Sequence, residues 1–236
     1  MSKFKSSNYA NGRALLVAIA ALILLATIWS LPSLGKQRVM EPNMRLLTDP
    51  FLQLPTQNSV NVVWLTEFAG DHHTVEYGKD LDQTAIATTT KLSRVREDSQ
   101  SRVGQQTEDG QRFSAPVLRD IWRHEATITG LSSGRRVPYR VTSALKDGTV
   151  VSSDRFTLAP SPPPDAPQKI LLTSDHQLMP MTAANLQKVA ETVGQVDAVF
   201  LAGDLVNIPD RASEWFDDNR GGAFFPALQG RAQYAL

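Results

Sequence analysis

Two aspartates stand directly after short apolar runs. Asp175 follows Lys169 to Thr173 in Thr173-Ser174-Asp175-His176-Gln177, and Asp204 follows Ala198 to Leu201 in Ala202-Gly203-Asp204-Leu205-Val206-Asn207. Ligands of open α/β sheets sit just beyond the carboxyl ends of parallel strands. If the two runs are neighbouring strands, ~4.8 Å apart, both carboxylates can reach one cation. Hard carboxylate oxygens suit Mn, Fe, Mg or Ca, and Gly203 gives the backbone freedom to aim Asp204. The plainer reading is that both acids serve as turn or capping residues, as most acids after strands do. Their placement at two successive strand ends, with glycine before the second, tips the balance toward metal binding. The chain contains no cysteine. Disulfides and thiolate zinc sites are thereby excluded, and any metal must be held by oxygen and imidazole.

The elements around these acids follow from periodicity. Leu186, Val189, Ala190 and Val193 recur at helical spacing behind a capping Thr182, with Gly194 placed to end the helix. Strand, helix and strand with apolar strands make a βαβ unit, which implies a parallel sheet covered on both faces. Upstream, between Phe51 and Leu158, the dominant period is two, in short runs rich in Val, Thr, Trp and Tyr. That is the pattern of a β-sandwich. Its runs include Val60 to Leu65, Thr74 to Tyr77, and a pair from Glu125 to Thr129 and Val137 to Ser143. Lys146-Asp147-Gly148-Thr149 makes a tight hairpin turn. Arg94 to Gly110 is polar and weakly patterned, the mark of a solvated surface loop. Trp64 and Tyr77 belong to the sandwich core. His72-His73 falls in an exposed turn and His124 on a strand surface. Ala159 to Pro167 holds five prolines and forms a stiff linker.

From Ala14 to Leu34 no residue is charged, and at ~1.5 Å per residue this stretch makes a helix of about 31 Å, enough to cross a bilayer core. Lys3, Lys5 and Arg13 precede it, which favours an amino end kept in the cytoplasm. Two readings stay open: an uncleaved single-pass membrane anchor with the carboxyl-terminal part outside the cytoplasm, or a signal segment whose removal yields a secreted or periplasmic protein. The expected organisation is multi-domain. Residues 1–39 form a cytoplasmic tip and transmembrane anchor or a signal segment, 40–158 an all-β sandwich, 159–168 the linker and 169–236 the start of an incomplete α/β domain. Lys plus Arg and Asp plus Glu both number 24, so no net field recruits nucleic acid. Nothing in the residues specifies an oligomeric state.

Leu172-Thr173-Ser174-Asp175-His176 and Gly203-Asp204-Leu205-Val206-Asn207 are similar to the first two motifs of calcineurin-like metallophosphoesterases. The stretch from Phe51-Leu52-Gln53-Leu54-Pro55-Thr56 to Val62-Val63-Trp64, with Leu131-Ser132-Ser133-Gly134 and Tyr139-Arg140-Val141, resembles the fibronectin type III-like amino-terminal domain of purple acid phosphatases. The resemblance implies a dinuclear metal phosphoric ester hydrolase acting on phosphate esters, with a metal pair drawn from Fe, Mn and Zn. It implies Asp175 as a terminal ligand and Asp204 as the bridge. Where many members carry Asp-x-His, this chain has Asp175-His176-Gln177, which leaves His176 and Gln177 as secondary candidates. Asn207 stands where purple acid phosphatases place a ligating Tyr.

The family's Gly-Asn-His-Asp/Glu motif, source of the general acid, does not occur in these 236 residues, so no catalytic residue is assigned. With only two legible strands after Lys169, and with Phe224, Phe225, Leu228, Tyr234 and Leu236 lacking visible partners, the expectation is a truncated metallophosphoesterase domain, inactive by itself. The rival reading is a membrane-anchored, non-catalytic β-sandwich that binds a partner or acts as a spacer.

Overall fold

The computed structural model describes residues 45–104 and 111–229. The expected membrane-spanning segment lies outside these residues, as do Tyr234 and Leu236. Among the described residues no helix is long and apolar enough to cross a membrane.

In chain order the strands are β1 (Phe51–Gln53), β2 (Val60–Thr66), β3 (His72–Tyr77), β4 (Gln83–Ile86), β5 (Thr88–Lys91), β6 (Arg96–Glu97), β7 (Val117–Leu118), β8 (Trp122–Ile128), β9 (Val137–Ala144), β10 (Val150–Ser152) and β11 (Phe156–Leu158). After the linker come β12 (Ile170–Thr173), helix α1 (Thr182–Val193), β13 (Ala198–Leu201), and the short helices α2 (Ala212–Phe216) and α3 (Phe224–Leu228). One sheet of the sandwich has the order β1-β2-β8-β5. The other runs β10-β9-β3-β4, with β11 also on β9. All their pairings are antiparallel.

The period of two explains the core. Val60, Val62 and Trp64 face inward from β2 and meet Val75, Ala126, Ile128, Tyr139, Val141 and Leu158 from both sheets. The alternate residues Val63 and Leu65 are buried too, because α2 and the chain around Leu47 and Ile121 cover that outer face near Leu65. A strand coated on both sides loses its polar alternation. The runs through Glu125 and Tyr139 do not pair with each other, contrary to expectation. β8 lies on β2 and β5, and β9 on β3. Leu131 to Gly134 therefore crosses between sheets instead of closing a hairpin. The Asp147-Gly148 turn does close one, with Gly148 at φ 86° and the Asp147 carboxylate accepting from the Thr149 amide at 2.8 Å.

Two histidines expected on the surface are buried. His73 and His124 stack with centroids 3.7 Å apart, and both are nearly inaccessible. The hydrogen bonds assign their tautomers. The Trp64 indole donates to Ser143 Oγ at 2.9 Å, so the Ser143 hydroxyl donates to His73 Nδ1, and His73 Nε2–H donates to the Ala69 carbonyl. The Thr66 hydroxyl donates to the Phe68 carbonyl, which leaves Thr66 Oγ1 to accept from His124 Nε2–H, while Thr89 supplies His124 Nδ1. With both imidazoles neutral, every ring nitrogen has a partner. Burial lowers both pKa values, His124 to about 3 with a further push from His73.

Arg94 to Gly104 is not a free loop. Arg119, almost fully buried, pairs with Glu67 at 2.5 Å and Glu97 at 3.0 Å, and with both oxygens of Asp217 at 2.7 and 2.8 Å. Burial opposes the charge, but the hydrogen bonds and charge of Asp217, helped by Glu67, outweigh it and raise the guanidinium pKa. Arg94 and Arg96 both reach Asp210, and the Asn219 amide donates to the Arg102 carbonyl at 2.7 Å. Polar residues here face other parts of the same chain, which composition alone does not reveal. The linker is likewise docked: Ser161 N donates to the Thr56 carbonyl, and Ser133 Oγ to the Ser161 carbonyl.

Downstream, β12 and β13 pair in parallel, Thr173 opposite Leu201, and α1 packs on one face through Leu186. Phe224 and Leu228 of α3 join the same cluster with Val206, while Phe225 meets Phe51 at 5.5 Å and stacks on Phe216 at 5.4 Å. These aromatics thus do have partners, contrary to expectation. The opposite face of the parallel pair is bare: Ile170, Leu172 and Phe200 are 55%, 70% and 56% exposed. Full cover on both faces is not observed among the described residues. Thr182 is also not a cap. It is the first helical residue, and its hydroxyl donates to the His176 carbonyl, whereas Gly194 ends the helix as expected at φ 72°.

Two stability measurements test these assignments. Because the folded pKa values of His73 and His124 are lowered, the unfolded chain takes up protons first, so stability is complete above the unfolded value of 6.5 and drains as pH falls. The expected slope is about 1.4 kcal/mol per pH unit for each histidine. Urea unfolding should show a loss of about 2 kcal/mol between pH 7 and pH 5 from His124 alone, and a His124→Gln variant should flatten the slope by that amount. Arg119→Ala strands three buried carboxylates and should cost about 3–5 kcal/mol in the same assay.

Candidate metal centre

The two aspartates occupy matching places. In-register parallel pairing of β12 and β13 carries the chain out of both strands at one level, and hydrogen bonds then tie the two exit loops together. Ala202 N donates to the Thr173 carbonyl at 2.9 Å, Asp175 N to the Gly203 carbonyl at 3.2 Å and Gln177 N to the Asp204 carbonyl at 3.2 Å. Asp175 and Asp204 are exposed at the mouth of these loops. The Ser174 hydroxyl donates to Asp175 Oδ2.

The backbone here is held in an uncommon state. Asp175 and Asp204 both adopt left-handed φ values, 56° and 50°, as do Gln177 at 33° and Leu178 at 59°. This region costs an L-residue roughly 1–2 kcal/mol, somewhat less for Asp. Such conformations persist where surrounding structure enforces them, and they concentrate at functional sites. Gly203 has φ 110° with no atom within 4 Å of where a Cβ would stand. Conformation and not crowding demands glycine there. At Gly222 the reason is the reverse: a Cβ would come within 2.8 Å of the Leu178 carbonyl oxygen.

The secondary candidates lie close by, each with contacts of its own. His176 is buried, its Nε2 is 3.0 Å from Thr173 Oγ1 and its ring lies 5.7 Å from Phe224. Burial lowers its pKa against the opposing pull of Asp175. Its ring is a wall of the core that contains Phe224. The backbone carbonyl of Gln177 accepts from Asn207 Nδ2 at 3.3 Å, so Asn207 links the two loops. Glu214 is a residue that sequence reasoning missed: buried, it accepts from the Asn207 and Ile208 amides at 2.7 and 3.0 Å. An isolated Glu in Ala-Ser-Glu-Trp-Phe carries no signal of that role.

The donor chemistry suits a hard cation, in that two exposed carboxylates share one loop cluster. The donor number does not complete a shell, since the described residues contain no group of three or more His, Cys, Asp or Glu able to hold a metal.

Fold and site together define a two-sheet sandwich leading into an open α/β unit with acids beyond its strand ends. Residues 48–159 match the family described as Purple acid Phosphatase, N-terminal domain. The chain is purple acid phosphatase-like: its sandwich is similar to that N-terminal domain. Among solved structures, purple acid phosphatase PPD1 from yellow lupin (Lupinus luteus) seeds shares the fold at TM-score 0.54 and 18% identity, over 76% of this chain and 32% of that one. This chain therefore spans about a third of the lupin protein's length. Similarity to Astrotactin-2, a vertebrate-specific perforin-like membrane protein, is slighter: TM-score 0.29, 12% identity, 61% of this chain and 24% of that one. No curated protein matches in sequence.

If the left-handed turn at Asp204 exists to aim its carboxylate, relieving it should separate stability from binding. Asp204→Gly should raise stability by about 0.5–1 kcal/mol and remove manganese binding, measured by chemical denaturation and by the electron paramagnetic resonance signal of free Mn²⁺.

Proposed function

We propose that the chain is part of a metal-dependent phosphoric ester hydrolase of the purple acid phosphatase type, inactive as these 236 residues alone, with Asp175 and Asp204 as metal ligands. One observation carries the reading. Behind a purple acid phosphatase N-terminal domain, two parallel strands end side by side, and each delivers an aspartate in a left-handed turn to the same exposed loop cluster. Phosphate esters, mono- or diesters, are the substrate class this supports. The metal pair, of Fe, Mn or Zn, would supply charge neutralisation and a more acidic water. Asp175 and Asp204 would hold it. The Ser174 hydroxyl donates to Asp175, and main-chain hydrogen bonds tie the two loops together.

The supporting sequence features extend to location. The uncharged segment from Ala14 to Leu34, with Lys3, Lys5 and Arg13 ahead of it, anchors the chain so that the sandwich and site lie outside the cytoplasm. Its removal as a signal would leave them secreted or periplasmic.

With two carboxylates and no general-acid histidine motif, this 236-residue chain should bind Mn²⁺ only weakly, with Kd of roughly 0.1–1 mM. It should hydrolyse p-nitrophenyl phosphate no faster than buffer containing the metal. Asp175→Asn and Asp204→Asn should each abolish the binding. Wild-type binding that survives both substitutions would sink the assignment of these ligands, and metal-dependent turnover by this chain would overturn the statement that it lacks a general acid.

A further inference from the structure

A continuous set of polar contacts runs from the sandwich to the loop that carries Asp204. Asp98, which follows β6, accepts from Arg211 Nη2 at 2.9 Å and from its Nε at 3.3 Å. Arg211 Nη1 donates to Glu214 Oε1 at 2.8 Å. The other oxygen of Glu214 accepts from two consecutive amides, those of Asn207 and Ile208. Asn207 then donates its side-chain amide to the Gln177 carbonyl, and Gln177 N donates to the Asp204 carbonyl. Glu214 is 1% exposed, so its charge must be matched inside the protein. It is matched on one side by Arg211 and on the other by two N–H dipoles.

From this geometry we infer that Glu214 is a positioning residue for the candidate metal centre and that the sandwich, through Asp98 and Arg211, sets the position of Glu214. The inference rests on the reading of Asp175 and Asp204 as ligands. The physical reason is rigidity. Asp204 sits in a left-handed turn that exposed loops do not hold without support, and the segment after it, Asn207-Ile208, is outside any helix or strand. Glu214 supplies a fixed acceptor for two of its amides from inside the protein. The buried carboxylate in turn keeps its place because the guanidinium of Arg211 is itself clamped from the sandwich side. Groups that orient ligands in this way typically govern metal affinity by 10–100-fold when removed. The sandwich thereby acts on the site without touching the metal.

The test uses the whole chain and Mn²⁺ alone. Affinity is read from the paramagnetic resonance signal of free Mn²⁺, and amide hydrogen exchange is followed at Asn207 and Ile208. Glu214→Gln, nearly isosteric, should weaken Mn²⁺ binding by about tenfold and speed exchange at those two amides. Since a buried substitution can unfold the protein, Asp98→Asn provides a second variant. It keeps the acceptor that caps the Gln100 amide, and it removes the charge facing Arg211. It should weaken binding severalfold with an unchanged circular dichroism spectrum. If wild type binds, Asp204→Asn does not, and both Glu214→Gln and Asp98→Asn bind as wild type does, the positioning role is wrong while the ligand assignment stands. If wild type fails to bind, or Asp204→Asn binds equally well, the ligand assignment fails and takes the positioning role with it.

Discussion

A positive charge sealed between two layers must be answered by negative charge from both, and Arg119 is that charge. Its partners come from the end of β2, from β6 and from the chain just after α2. No one element could satisfy the guanidinium alone. Burying it therefore forces the sandwich and the following α/β segment into a single arrangement, an effect of pairing on uniqueness more than on net stability. The apolar cluster of Leu47, Leu65, Ile121, Ala212 and Phe216 supplies the complementary non-directional term at the same seam. The rest of the downstream structure, including the loops bearing the two aspartates, takes its position from that join.

Seen from the seam, the candidate site divides into parts with different physical origins. Parallel pairing of β12 with β13 brings two strand ends to the same level, a consequence of main-chain geometry that would hold for many sequences. The left-handed turns at Asp175 and Asp204 depend on local conformation, and both residues are exposed. The neighbouring His176 was drawn the other way. Burial against Phe224 keeps its ring neutral.

How much of this could be read beforehand depended on range. The sandwich was legible because a two-residue alternation is local. The parallel βαβ unit was legible because apolar strands with a helix between them admit few topologies. The acids at strand ends followed from that topology. What stayed hidden was the set of pairings at long sequence separation. Arg119 meets Asp217 across 98 positions, and Arg211 meets Asp98 across 113, and charged residues destined for each other look no different from solvated ones. His73 and His124 were misplaced for the same reason. Histidines in polar stretches give no hint that Trp64 and the hydroxyls of Thr66, Thr89 and Ser143 will enclose the pair. The assumption that parallel strands are covered on both faces also failed for the described residues, since α1, α2 and α3 all contribute to one side.

That one-sidedness has a consequence for handling the protein. Ile170, Leu172 and Phe200 form an apolar strip on a sheet whose outer edges have no strand partner among the described residues, the kind of surface that recruits like surfaces. Concentrated solutions of the correctly folded chain should be prone to reversible clustering through this strip. Such clustering would grow from the native shape itself, and refolding protocols that promote native yield would leave it in place.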